Sequence, residues 1–193
     1  MCLGALQAGR YTTKAFQPTL TYRVPKGWAN LEDLDGNFLL LPPGADLEGV
    51  DAGTSDYIGV YTSIRPSGGC GSGTGSEART PAEIAASLVE DPDLVVTEPK
   101  PVSVEGLSGL VLEIERSAEP SKACPSFKGK PVVPLIVGEA GSSLDHAVIE
   151  GLTMRLYLLA SQGGSLAIEV DDVHRGRHLR EFSALIENFK FGK

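Results

Sequence analysis

Apolar and polar side chains alternate with a period of two along residues 57–64, 109–115 and 154–171, the last stretch being interrupted by Gly163 and Gly164. Successive side chains of a strand point to opposite faces, so this pattern belongs to strands of a half-buried antiparallel sheet; a helix would repeat every 3.6 residues. The two glycines permit the positive φ of a tight hairpin turn, which divides the third stretch into strands over residues 154–160 and 165–171.

The remaining elements are arranged around these strands. Residues 11–16 and 20–24 form one extended segment broken at Pro18, suited to a sheet edge because Pro donates no ladder hydrogen bond. Trp28 follows the turn at Pro25, Lys26 and Gly27, and is expected to pack over one end of the core. Residues 37–41 are a short apolar strand stopped by Pro42 and Pro43, followed by a polar loop to Asp56. Thr80, Pro81, Ala82 and Glu83 spell a capping box with Pro at the first helical position, and Ile84, Leu88 and Val89 continue at helical spacing, predicting a helix over 81–90. Residues 94–97 and 100–104 are extended, Glu105 and Gly106 turn the chain, and residues 132–137 form a buried strand followed by a loop over 138–143. Leu179, Phe182, Leu185, Ile186 and Phe189 form the apolar stripe of a closing helix over 177–188. Hairpin-connected strands with one helix mid-chain and one at the end predict an α+β fold, a mixed, largely antiparallel sheet with helices packed across it. A chain of 193 residues fits one domain over 1–193, with residues 1–10 a linker or leader-proximal segment, and buries roughly 70% of its unfolded surface.

Charge and hydropathy narrow the partners. The net charge is −8, and the cluster Arg175, Arg177 and Arg180 is diluted by Asp171, Asp172 and Glu181, which argues against nucleic acid and acidic membranes as partners. No run approaches the roughly 20 apolar residues of a membrane span, so contact with a membrane is expected only through an anchor outside the folded domain. Cys2 directly after Met1 reads either as the lipid anchor of a bacterial lipoprotein or as an ordinary thiol. Cys70 sits in a Gly/Ser loop and Cys124 in a Pro-flanked loop, places where thiols are seldom buried, and a Cys70–Cys124 disulfide would imply an oxidising, extracytoplasmic compartment. Two unrelated thiols in a cytosolic protein are the alternative.

Catalytic patterns are scarce. The glycines of 71–75 lack the Lys-Ser/Thr ending of a phosphate loop and read as a flexible loop around Cys70. His174 and His178 are four apart beside Asp171 and Asp172, but Gly176 between them leaves a shared helical face unsecured, and they read as surface histidines. Asp145 and His146 are adjacent, yet no nucleophile can be placed beside them. No catalytic residue, metal or cofactor is expected. If Ile58, Leu112, Leu156 and Ile168 share one interior, parity sends Tyr57, Tyr61, Glu113, Glu115, Arg155, Tyr157, Glu169 and Asp171 to the other face. Tyr57, Tyr61, Arg155, Tyr157 and Glu169 are then candidates for ligand or partner binding, since recognition surfaces favour Tyr and Arg. The favoured reading is plainer: antiparallel sheets often leave a polar face to water, and Arg155 serves to neutralise neighbouring Glu side chains across strands.

The Pro25 to Trp28 turn, the capped mid-chain helix, the Gly106-Leu107-Ser108-Gly109 turn into residues 110–114, the Leu156-Tyr157-Leu158-Leu159 strand and the closing helix with Phe189 and Phe191 resemble the Mog1/PsbP-like fold, an α-β-α sandwich. More narrowly, the chain is similar to extracytoplasmic domains of unknown function in actinobacterial-type lipoproteins or membrane-anchored proteins. The resemblance spans residues 12–191 and implies a noncatalytic role, because the fold serves a small-GTPase regulator, a photosystem accessory subunit and envelope lipoproteins. The expected function is a noncatalytic extracytoplasmic binding or accessory module of the cell envelope, secreted or held on the outer face of the membrane, recognising an unknown protein or small ligand. The alternatives are a hydrolase with a pocket near the Cys70 and Cys124 loops, and a cytosolic regulatory scaffold.

Overall fold

The computed structural model describes residues 4–51, 53–69, 79–120, 124–126, 130–138, 145–162 and 164–192. Cys2, Cys70, Gly163 and the 71–75 glycines lie outside them.

A nine-stranded sheet forms the centre, in the order β1 (Gly4–Ala5), β4 (Ala29–Leu34), β5 (Asn37–Leu41), β6 (Tyr57–Tyr61), β15 (Gly164–Asp172), β14 (Thr153–Ser161), β10 (Leu107–Arg116) and β8 (Leu94–Val96), with β9 (Lys100–Val104) also pairing β10. One face carries α2 (Pro81–Val89) and a second sheet of β7 (Arg65–Pro66), β11 (Cys124–Ser126), β12 (Lys130–Val137) and β13 (Asp145–Ile149). The opposite face carries α3 (Leu179–Ile186) and a third sheet of β2 (Gly9–Thr12), β3 (Leu20–Val24) and β16 (Lys190–Phe191). A short α1 (Leu47–Asp51) lies in the stretch expected to be loop. The architecture is α+β, and every strand pair among the described residues is antiparallel. Residues expected to be linker join this framework: Gly4 and Ala5 pair with β4, and Leu6 is buried.

Local chemistry explains the elements. Thr80 Oγ1 accepts the Glu83 N–H while Glu83 Oε2 accepts those of Arg79 and Thr80, so the capping box forms and fixes where α2 begins. Ile84, Ala85 and Leu88 face inward, whereas Val89 is exposed. Strand β4 escaped the alternation rule because its register slips between Asn30 and Glu32, a bulge that brings polar Asn30 and Asp33 inside. Asn30 Nδ2 donates to the Glu32 and Leu39 carbonyls, and Asp33 accepts the backbone N–H groups of Lys14, Ala15 and Phe16 at 2.7, 3.1 and 2.8 Å. Those three bonds hold the carboxyl below its ordinary pKa, because they outweigh the upward push of burial.

The expected one-sided sheet is corrected by the structure. Leu112, Leu156 and Met154 belong to the core beneath α2 and the second sheet, while Ile58, Ile168 and Val170 belong to the core beneath α3 and the third sheet. The register is the cause: Leu156 pairs Glu169 and Tyr157 pairs Ile168, and cross-strand partners share a face. Both faces are therefore covered, and no polar face is left open to water across β6, β14 and β15. Trp28 packs as expected, edge-on to Phe182 of α3 with ring centroids 5.4 Å apart.

Candidate functional site

Strands β6 and β15 place Asp171 opposite Tyr57, Glu169 opposite Gly59 and Ala167 opposite Tyr61, all on the face beneath the second sheet. The Tyr61 ring lies over Gly59, where an alanine Cβ would fall 2.7 Å from Cε2 and nearer still to Cζ and Oη. Only the missing side chain lets the ring lie flat with its hydroxyl toward Glu169. From β13, His146 closes over this row: its ring sits 4.2 Å from that of Tyr61, and its Nδ1 lies 2.6 Å from Glu169 Oε2 and 3.3 Å from Tyr57 Oη. Glu169 is fully buried, and neither of its carboxylate oxygens nor Asp171 Oδ1 accepts a well-aligned hydrogen bond among the described residues, the approach of His146 being an ion-pair contact. Burial, and then the charge of Glu169, pushes the Asp171 carboxyl well above its ordinary pKa despite a hydrogen bond from Tyr57. Both tyrosine hydroxyls are likewise pushed up, by burial first and by Asp171 and Glu169 next, so they stay protonated as donors.

Asp172 points to the opposite face from Asp171, and there a second cluster forms at the solvent edge. Beyond β15 the chain turns back through Arg175 (φ 59°) and Gly176 (φ 80°), so His174 and His178 come together with ring centroids 4.8 Å apart. Asp56, just before β6, receives both rings: His174 Nδ1 lies 3.3 Å from Oδ1 and His178 Nδ1 2.8 Å from Oδ2, while the Val173 N–H also donates to Oδ1. Asp172 accepts the backbone N–H groups of His174 and His178, and its Oδ1 is 4.0 Å from His174 Nδ1. The carboxylates are buried, at 7% and 0% side-chain exposure, whereas the imidazoles are 52% and 39% exposed. The hydrogen bond to Asp56 raises the His178 pKa; burial lowers it, and the charges of Asp56, Asp172 and Glu181 raise it further. One potential ligand atom from each of the four residues lies within 4.8 Å of the others. His174 and His178, read from the sequence as surface histidines, are both partly exposed and meet over the same carboxylate.

The proposed recognition residues divide between these surroundings. Tyr57, Tyr61 and Glu169 lie inside the first cluster, and Tyr157 is buried in the α3 core. Arg155 faces α3, where it forms an ion pair with Glu113 and donates to Ser183 Oγ and the Leu179 carbonyl, fastening helix to sheet. These five do not form one exposed surface, and a partner could reach the four buried ones only by opening the fold. Asp56 was absent from the expected set, and His146 entered it only as the neighbour of Asp145. The inward placement of His146 is signalled by the mismatch between its polarity and the apolar run Ala147, Val148 and Ile149 that follows it. Asp56 carries no local signal. Cys124 opens β11 and is buried, and its expected pairing with Cys70 lies outside the described residues.

No family model and no curated protein matches the sequence. Among solved structures, cyanobacterial PsbP (CyanoP) from Synechocystis is similar over 98% of this chain and 95% of its own, with 9% identity and a TM-score of 0.46. A Bacteroides thetaiotaomicron protein is similar over 97% of this chain at 13% identity and a TM-score of 0.45, and the chain spans about half of that protein's length.

Proposed function

We propose that the chain is a noncatalytic binding module of the bacterial cell envelope, working outside the cytoplasm and holding its ligand at the sheet end where His174 and His178 meet. One observation carries the reading: two half-exposed imidazoles stand over two buried carboxylates, and among the described residues no Lys or Arg nitrogen lies within 4.0 Å of either carboxylate. A buried anion pair faced only by histidines favours cationic or hydrogen-bond-donating ligands. The interior histidine, by contrast, is engaged by Glu169 and Tyr57. The extracytoplasmic assignment rests on the sequence, through the proposed Cys70–Cys124 disulfide and a lipidated Cys2.

The test is a thermal-shift screen of tag-free protein against metal ions, polyamines, amino acids and sugars, run in parallel on His174→Ala/His178→Ala. The reading predicts a ligand that raises the melting temperature of the wild type and not of the variant. Stabilisation equal in both proteins, or turnover of an ester or peptide substrate, would overturn it.

A further inference from the structure

We propose that Asp56, Asp172, His174 and His178 are the protein ligands of a divalent first-row transition-metal ion of the zinc type, bound where the two imidazoles meet the two carboxylates. This deepens the reading above and rests on it. Bonds of about 2.0–2.1 Å to a tetrahedral ion place neighbouring ligand atoms roughly 3.3–3.5 Å apart. The contacts bracket that spacing: 2.8 Å from His178 Nδ1 to Asp56 Oδ2, 3.3 Å from His174 Nδ1 to Asp56 Oδ1, and 4.0 Å from His174 Nδ1 to Asp172 Oδ1. All four ligand atoms lie within 4.8 Å of one another, so rotation of the exposed imidazoles and adjustment of the carboxylates would have to close gaps of up to about an ångström and a half to bring them onto one centre.

The donor set and its charge agree with this assignment. Two imidazole nitrogens and two carboxylate oxygens suit zinc and its neighbours; a calcium site would demand six to eight oxygens, and a copper(I) or thiolate site would demand sulfur. With neutral imidazoles the four side chains carry two negative charges, which one divalent ion cancels. The ion takes the Nδ1 positions that hydrogen-bond Asp56, so a neutral ring keeps its one proton on Nε2, whereas a ring that starts as imidazolium releases one proton to solvent. The supporting contacts are already present. Backbone N–H groups of Val173, His174 and His178 orient the carboxylates, and the His178 ring rests 5.7 Å from Phe182 of α3. An ion here would join the start of β6, the end of β15 and the first turn of α3.

The experiment adds Co2+, then Zn2+, to tag-free full-length chain and reads the visible d–d absorption of Co2+, its displacement by Zn2+, and Zn2+ affinity by competition with a chromophoric chelator. The wild type is expected to bind one equivalent, with an intense tetrahedral Co2+ band that Zn2+ abolishes. Asp56→Asn and His178→Ala are expected to lose at least tenfold in affinity, while Arg155→Lys, on the same sheet face but outside the cluster, retains it. Circular dichroism of each variant before metal addition verifies its fold, and His174→Ala, at the most exposed ligand, serves if Asp56→Asn fails to fold. A weak octahedral Co2+ spectrum, or binding unchanged in both histidine variants, would overturn the metal assignment. If an organic ligand from the screen still requires His174 and His178 while Co2+ gives no tetrahedral band, the metal assignment fails and the binding-module reading stands.

Discussion

Replacing Gly59 by alanine tests how the polar interior is assembled. The new methyl group would lie 2.7 Å from Tyr61 Cε2 and nearer to Cζ and Oη, so the ring must leave the sheet surface. Tyr61 is only 1% exposed and is roofed by His146, so the ring has no open space to enter. Overpacking of this kind costs about 1–3 kcal/mol. For a chain of this length that loss lowers the melting temperature by roughly 2–12 °C.

The decisive form is a double-mutant cycle with Tyr61→Leu, read by urea denaturation. Leucine has no atom corresponding to Tyr61 Cε2, Cζ or Oη, so alanine at 59 should cost little in that background, leaving a coupling energy of roughly 1–3 kcal/mol. Additive effects, within about 0.5 kcal/mol, would show that the ring does not depend on the empty position and would refute the reasoning.

Asp33→Asn should destabilise the fold by about 2–3 kcal/mol at neutral pH, since three backbone N–H groups lose an ionised acceptor. The folded-state pKa of Asp33 is depressed, so its stabilisation is present above the unfolded value near 3.9 and is lost as pH falls through the folded value. Denaturation between about pH 7 and pH 2 should therefore show the gap between wild type and variant closing below about pH 4, and a constant gap would contradict this. Thr80→Ala should cost about 1 kcal/mol by removing the α2 cap, measured by urea denaturation, with Thr80→Ser restoring most of it. A non-reducing peptide map of native material should recover Cys70 and Cys124 as one linked peptide, and reduction should lower stability by about 4 kcal/mol in the chain-entropy model; two alkylatable thiols would remove the disulfide and with it the main support for an extracytoplasmic site.

Much of the fold was legible because it rests on short-range chemistry. The Thr80 to Glu83 signature located α2, Pro42 ended β5, and the Gly163 and Gly164 pair marked the hairpin between β14 and β15. What went astray was the pairing parity of that hairpin. Ser161 pairs Gly164 across a two-residue loop, so partner numbers sum to an odd value, and an even-numbered residue on β14 shares its face with an odd-numbered one on β15. Grouping Leu156 with Ile168 on one interior contradicted the turn already recognised. Parity counted through the turn puts Glu169 and Asp171 beside Leu156 and Met154, in a core instead of on a wet surface. The bulged β4 was missed for a related reason, since one extra residue inverts the alternation and makes buried Asn30 and Asp33 look like loop residues.

The exposed cluster resisted prediction for a different reason. His174 and His178 stand four apart, a spacing that suggests metal ligands only on a helix, and here the helix begins after His178. They meet because a left-handed turn at Arg175 and Gly176 does the work of helical pitch, a conformation to which Gly176 gave a hint and Arg175 none. The third member, Asp56, is 118 residues before His174 and arrives through the pairing of β6 with β15. That pairing also sets Tyr57 against Asp171, one residue along each strand and on the other face. A single antiparallel register therefore builds both clusters, the buried one from Tyr57 and Asp171 and the exposed one from Asp56 and Asp172. Shifting β6 by one residue against β15 would turn Tyr57 and Tyr61 to the opposite face and dismantle both at once, so loss of His174/His178 ligand binding in Gly59→Ala would follow only if the substitution disturbs the strand register and not merely the Tyr61 ring.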